Sequence, residues 1–269
     1  MLSRVRIQNF KSIGEPGVDL ELKPLTFLVG PNGGGKSSIL EAIGVTAQGS
    51  PTGRAANLPT WEGMVHKLGG SNPIAEVYFS HDEGLSLGYR FRPDISEGGV
   101  SIQTSHVPRH DGMIDSLVST ELQLKTFFVS SNRGIVPNAT STDSDPPWVG
   151  IHGEHLVLLL AKIFSRREYD EVAGKIASWA GRFGINGLKA GIRGSNTAGS
   201  DYQDSELETA LNLVLSSSGA KQILTVITQL FWAPTGSLIM IEEPEISLHP
   251  KAQIDVPEMF AEAIKEDKQ

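Results

Sequence analysis

The stretch from Leu25 to Ile43 constrains the fold of this chain more than any other. A continuous apolar run, Leu25-Thr26-Phe27-Leu28-Val29, leads into Gly30-Pro31-Asn32-Gly33-Gly34-Gly35-Lys36-Ser37-Ser38, and then into Ile39-Leu40-Glu41-Ala42-Ile43, whose apolar positions fit a helix. The run predicts a strand buried on both faces, so the order is strand, glycine loop, helix. The spacing from Gly30 to Gly35-Lys36-Ser37 is that of a loop that cradles phosphate. Backbone N–H groups of Gly33 to Ser37, flanked by Asn32 and Ser38, would converge on an anion at a helix N-terminus, where the helix dipole adds to the attraction. In such a loop Lys36 reaches the β- and γ-phosphates, and the Ser37 hydroxyl is a ligand for Mg²⁺. The expected ligand is therefore ATP with Mg²⁺.

A second feature gives the first a chemistry. Leu238-Ile239-Met240-Ile241 reads as a short buried strand that stops at Glu242-Glu243-Pro244-Glu245. A strand ending in two acids can deliver one carboxylate, Glu242, to the Mg²⁺ shell and the next, Glu243, to an attacking water, which is what metal-assisted phosphoryl transfer to water requires.

Between these features the pattern changes character twice. Arg4 to Phe10 reads as a strand, and residues 75–79, 85–91 and 100–103 follow one another at hairpin spacing, an antiparallel meander. A short helix is expected from Trp61 to Leu68. After Gly150 the apolar spacing turns helical, at His155–Phe164, Tyr169–Phe183 and from Ser218 or Gly219 to Trp232, and Lys251–Lys265 reads as a closing helix. The organisation expected is a nucleotide-binding lobe with the meander over 1–149, a helical lobe over 150–236, and the acidic strand with its closing helix over 237–269, together one ATPase domain.

Composition narrows the chemistry further. The 269 residues include no cysteine, which excludes disulfides, thiol catalysis and thiolate zinc sites. The formal charge of −8 argues against nucleic-acid binding over the whole surface. Locally, residues 151–200 carry seven basic against four acidic side chains, Lys162, Lys175, Arg182 and Arg193 among them, which reads as a solvated helix face before it reads as a DNA surface. His106, His110 and Asp111 read as surface residues rather than metal ligands, and Arg133, at the end of a strand, either touches nucleotide or makes a structural ion pair. The opening residues lack a secretory core and no apolar run is long enough to span a bilayer, so a cytoplasmic protein without membrane contact is expected.

Arg6-Ile7-Gln8-Asn9-Phe10-Lys11-Ser12, the glycine loop, and Ile241-Glu242-Glu243-Pro244-Glu245-Ile246-Ser247-Leu248-His249-Pro250 together resemble the ABC-type ATPase heads of the SMC, RecF and OLD group, nearest to OLD-like "AAA family" ATPases, several of which serve in anti-phage defence. The resemblance implies an α/β P-loop NTPase head with an antiparallel β subdomain and a helical lobe. It implies that Ser217, Ser218 and Gly219, standing where the signature motif is expected, cap the γ-phosphate held by a second copy in a head-to-head homodimer. It assigns Glu243 as general base, Glu242 as the Mg²⁺-associated acid and Ser247-Leu248-His249 as a dimer-contacting loop. Two departures stand out: Ser216 and Ser218 replace the leucine and first glycine of the signature, and the strand and switch histidine that normally follow the acidic pair are not legible before Gln269. The sheet is accordingly expected to lack its last core strand. Gln103 and Gln123 both stand as candidates for the Q-loop glutamine. The 207 residues between Lys36 and Glu243 leave no room for a long coiled-coil arm. The nuclease domain that OLD proteins carry is not legible before Gln269, so the resemblance allows an effector chain such as a nuclease, and DNA, as further partners. An ATP-dependent regulatory module with little turnover and a RecF-like repair ATPase remain the alternatives.

Overall fold

The computed structural model describes residues 2–48, 55, 74–80, 86–96, 99–107, 125–134, 140–141, 146–194, 196–204 and 209–269. The chain divides into two compact units: Met1–Phe128 with Thr235–Met240 and Asp267–Gln269, and Val129–Pro234 with Ile241–Glu266.

The first unit is built on an antiparallel sheet of β1 (Leu2–Gln8), β2 (Val18–Glu21), β3 (Ile74–Ser80), β4 (Ser86–Ser96) and β5 (Gly99–Val107), in the order β2-β1-β3-β4-β5. In β1, Val5 and Ile7 are buried while Arg4 and Arg6 turn outward to share Asp19 of β2 at 2.6 and 2.9 Å. Leu2 is buried although its parity is wrong, because the ladder with β3 slips between Leu2 and Arg4. Helix α1 (Lys36–Gln48) packs on this sheet through a face that includes Ile39, Ala42 and Ile43. Strands β6 (Thr126–Val129) and β11 (Leu238–Ile241) pair in a separate two-stranded sheet. On the other side of β11, Gln269 continues the ladder: its N–H donates to Ser237 O and its carbonyl accepts from Ile239 N–H, while its side chain exchanges hydrogen bonds of 2.7 and 2.6 Å with the backbone of Leu2.

The apolar run before the glycine loop departs from expectation. No strand forms over 25–29, and Phe27 and Val29 are 52% and 92% exposed. A run of large apolar residues supplies the material for a buried strand, but burial needs a lateral ladder and a covering face, which local sequence cannot report. The expected helix at 61–68, together with Gln123, His110 and Asp111, lies outside the described residues.

The second unit has the expected helices, with boundaries within two residues: α2 (Leu156–Ser165), α3 (Asp170–Arg182) and α4 (Ser218–Trp232). Every residue of α4 from Ile223 to Phe231 is buried, so the helix runs through the core of this unit. Phe231 stacks on Trp179 with centroids 6.5 Å apart, and Trp232 meets Tyr169 edge-on at 4.9 Å. Between α3 and α4 the chain makes antiparallel strands β8 (Ile185–Arg193), β9 (Thr197–Asp204) and β10 (Ala210–Asn212), with β7 (Thr140–Ser141) also on β9. These strands contain Gly187, Gly191 and Gly199 and have no regular apolar alternation, which is why the sequence pattern there did not announce a sheet. The closing segment splits into α5 (Pro250–Gln253) and α6 (Asp255–Ala263).

Candidate functional site

The phosphate loop belongs to the first unit. Its shape comes from Gly33 and Gly35, which take φ of +78° and +89°, the left-handed region where a side chain is costly. Gly34 closes the turn by donating to Pro31 O at 3.1 Å, and a Cβ at that glycine would lie 3.0 Å from the same oxygen. Helix α1 starts at Lys36, so the N–H groups of its first turn face the loop. The Lys36 ammonium lies over the loop and donates to Gly30 O at 2.8 Å and Pro31 O at 2.9 Å. Asn32, Gly33, Gly34 and Ser37 are exposed, whereas Ser38 is buried and shares a 2.8 Å hydrogen bond with the hydroxyl of Ser12. Ser12 therefore supports the loop from behind, and Lys11 beside it pairs with Glu41 of α1.

The acidic turn belongs to the second unit. β11 ends at Ile241, and the Glu242 N–H continues its pairing by donating to Val129 O at 3.0 Å. The half-buried Glu242 carboxylate turns back so that Oε2 accepts from Ser131 N–H at 3.1 Å; its Oε1 makes no hydrogen bond among the described residues. Glu243 is exposed and holds a left-handed backbone at φ +42°, as does Ser247 at +61°. From there the chain coils tightly, Ile246 N–H donating to Glu243 O and Leu248 N–H to Glu245 O, until His249 caps α5 through Nδ1.

Arg133 shapes this turn, a role the sequence pattern did not single out. It is 3% exposed, and its guanidinium donates to Glu242 O at 2.5 Å, Glu243 O at 2.7 Å and Ser130 O at 3.2 Å, with a long contact to Gln222 O at 3.4 Å. All four partners are carbonyl oxygens, so the expected structural ion pair is replaced by a cation seated among backbone dipoles. Burial pulls the guanidinium down to about 10, opposed by the carboxylates of Glu245, Glu242 and Glu243, so it stays cationic at neutral pH. The available signal was the polar break Ser130-Ser131-Asn132-Arg133 after a buried strand, which marks a strand end but not its partner.

Ser217, Ser218 and Gly219 form the N-terminus of α4 in the same unit. The Ser217 hydroxyl accepts from Ala220 N–H at 3.2 Å as the helix cap, and Ser218 stands exposed in the first turn. Gly219 lies against the acidic turn: a Cβ there would sit 2.6 Å from Ser247 O. The basic residues of the second unit are largely committed. Lys175 pairs with Glu171 and Glu266, Arg182 with Asp255 and Glu258, Arg193 with Asp201, and Lys162 lies over the Trp232 ring. Among the described residues no group of His, Asp or Glu is assembled as a metal site, and no helix is long and apolar enough to cross a membrane.

Comparisons with known proteins bear on the family and the fold. A family model described as "AAA domain, putative AbiEii toxin, Type IV TA system" matches residues 25–269. An OLD nuclease of Thermus scotoductus is 22% identical over 94% of the chain, and exonuclease subunit 2 of Enterobacteria phage T4 is 44% identical over 19% of it. The chain spans 54% of the length of the first and 9% of the second. Among solved structures, an SMC head bound to the C-terminal winged-helix domain of ScpA superposes with TM-score 0.64 at 16% identity, over 99% of this chain and 88% of that one. The Pyrococcus furiosus SMC head with an extended coiled coil, bound to the C-terminal domain of ScpA, gives 0.65 at 15% identity over the same shares. The fold is thus that of an ABC-type ATPase head of the SMC and OLD group, as the motifs implied.

Proposed function

The chain belongs to this AAA-domain family, and from that premise we propose that it binds ATP with Mg²⁺ and hydrolyses it in a head-to-head pair of copies. The observation that carries the reading is the phosphate loop, with left-handed glycines, an exposed helix N-terminus and a lysine already over its mouth. A phosphate laid against the N–H groups of Gly33 to Ser37 would let Lys36 exchange two neutral carbonyls for an anion, a stronger, charge-assisted bond. The Ser37 hydroxyl and the Glu242 carboxylate are assigned as hard oxygen donors of the kind that suits Mg²⁺, which would neutralise charge on the β- and γ-phosphates. The exposed carboxylate of Glu243 is assigned to take a proton from water, and its anchored neighbour Glu242 keeps Oε1 for the metal.

The Ser217–Gly219 terminus, exposed at Ser217 and Ser218, is assigned to the nucleotide of the second copy. ATP then contacts both copies only when they are together, so binding favours the pair and hydrolysis releases it. The relatives named as nucleases support a place in a DNA-associated or anti-phage defence assembly. Because the basic side chains of the second unit are largely paired, the link to DNA is assigned to an effector chain rather than to these helices.

Phosphate release with Mg-ATP, followed across a range of protein concentrations beside Lys36→Ala, tests the reading. The expected result is a Lys36-dependent rate that rises per chain with concentration. Equal release by Lys36→Ala removes the ATPase assignment, and a per-chain rate independent of concentration removes the paired site.

A further inference from the structure

Arg133 has no assigned contact with nucleotide, yet it is the most deeply buried cation bearing on the acidic turn. A left-handed conformation at a non-glycine residue is strained and persists only where the surroundings impose it. Glu243 is such a residue, and its carbonyl receives Nη2 of Arg133 at 2.7 Å while the preceding carbonyl receives Nη1 at 2.5 Å. The planar fork thus grips both peptide groups of the acidic pair.

The same guanidinium faces α4 through Gln222 O, and the chain just after it approaches that helix closely. Gly134, at φ +84°, leaves room for a Cβ only 3.0 Å from Gln222 Cγ. On the far side of the turn, Gly219 abuts Ser247 O. The N-terminal residues of α4, Gly219 and Gln222, and the acidic turn are therefore linked at two points, one through a side chain and one by a bare backbone contact.

We propose that Arg133 is a positioning residue: it imposes the backbone of Glu242 and Glu243 and ties it to the N-terminus of α4, so that the proton-accepting carboxylate and the Ser217–Gly219 cap shift as one body. This rests on the ATPase reading above for its catalytic consequence, though not for the clamp itself. Lysine cannot replace the fork, since an ammonium carries three donors on one atom whereas the guanidinium holds four carbonyls spread around it.

The test uses Arg133→Lys and Arg133→Ala in the full chain, read by hydrogen exchange and by kinetics. Arg133→Lys is expected to exchange faster in both 241–248 and 218–224, with the unfolding temperature near the parent's. KM for ATP should hold while kcat falls about 100-fold, the cost of a small misplacement of a reacting group. Millimolar guanidinium should restore part of the kcat of Arg133→Ala and none of that of Lys36→Ala. Parental protection in both segments, parental kcat, or a raised KM at unchanged kcat in Arg133→Lys overturns the proposal. If the parent shows no Lys36-dependent turnover, the ATPase reading fails on its own and exchange alone decides the clamp. If Arg133→Ala does not fold, Arg133→Lys decides both readouts.

Discussion

In the loop from Gly30 to Ser38 the shaping groups come mostly from the loop itself: Lys36 bonds carbonyls five and six residues back, and two glycines supply the left-handed turns. Among the described residues Ser12, 26 residues from Ser38, reaches in from outside. In the turn from Glu242 to His249 the decisive group is Arg133, 109 and 110 residues away from the carbonyls it holds, and no glycine relieves the left-handed positions at Glu243 and Ser247. The loop is preformed by local covalent chemistry, whereas the turn is held in a costly conformation by its surroundings. Damage should therefore stay local in the loop and spread from the turn.

The largest expected effect uses the turn's exposed carboxylate. Glu243→Gln should retain ATP binding and lose turnover by about 10²–10⁴-fold, the usual worth of a general base, as checked by nucleotide binding beside single-turnover phosphate release. A variant that hydrolyses normally would remove Glu243 from that role.

Gly219→Ala tests whether the turn communicates with α4. Its Cβ would stand 2.6 Å from a backbone oxygen, so one segment must move, at about 1–3 kcal/mol. Urea unfolding should register the loss and hydrogen exchange should rise around Ser247 as well as around residue 219; exchange confined to α4 would break the comparison. Gly35→Ala is the matching change in the loop. Left-handed alanine costs about 1–2 kcal/mol, and the nearest atom to the new Cβ, Ser12 Oγ, is 3.4 Å away. ATP affinity should fall while exchange over 241–248 stays as in the parent.

Smaller still is the cap. Ser217→Ala removes the acceptor for Ala220 N–H and should cost about 1 kcal/mol in urea unfolding. A loss of turnover far beyond that cost would mean the hydroxyl also serves the nucleotide. Last comes an acid titration on β2. The hydrogen bond from Arg4, then that from Arg6, holds the Asp19 carboxyl at about 2, below its ordinary 3.8. A depressed folded-state value stabilises above the ordinary one, and that contribution is lost as pH falls from about 4 towards 2. Arg4→Ala should raise the acid-unfolding midpoint slightly, and an unchanged midpoint would assign the pairing no role in acid stability.

Much of the fold was legible. The hairpin spacing of β3 to β5, the helical periods of α2, α3 and α4 and the short strand β11 all carry their signal within a few residues, where side-chain period reflects backbone geometry. The apolar run at 25–29 and the strands at 185–212 misled for complementary reasons. The first has the composition of a buried strand without forming one, and the second forms strands although its glycines erase the alternation. Neither depends on local pattern alone, since ladders are closed by residues distant in sequence.

The candidate site divides along the same line. Sequence determined the phosphate loop, the acidic pair and the family, because glycine conformational freedom, lysine reach and a carboxylate at a strand end are properties of neighbouring residues. Only the tertiary structure decided that Arg133 is buried against the carbonyls of Glu242 and Glu243 and that Gly219 abuts Ser247. The physical reason is that a backbone carbonyl is the same group at every position, so nothing in the identity of its residue tells a distant guanidinium or a bare glycine which one it will meet.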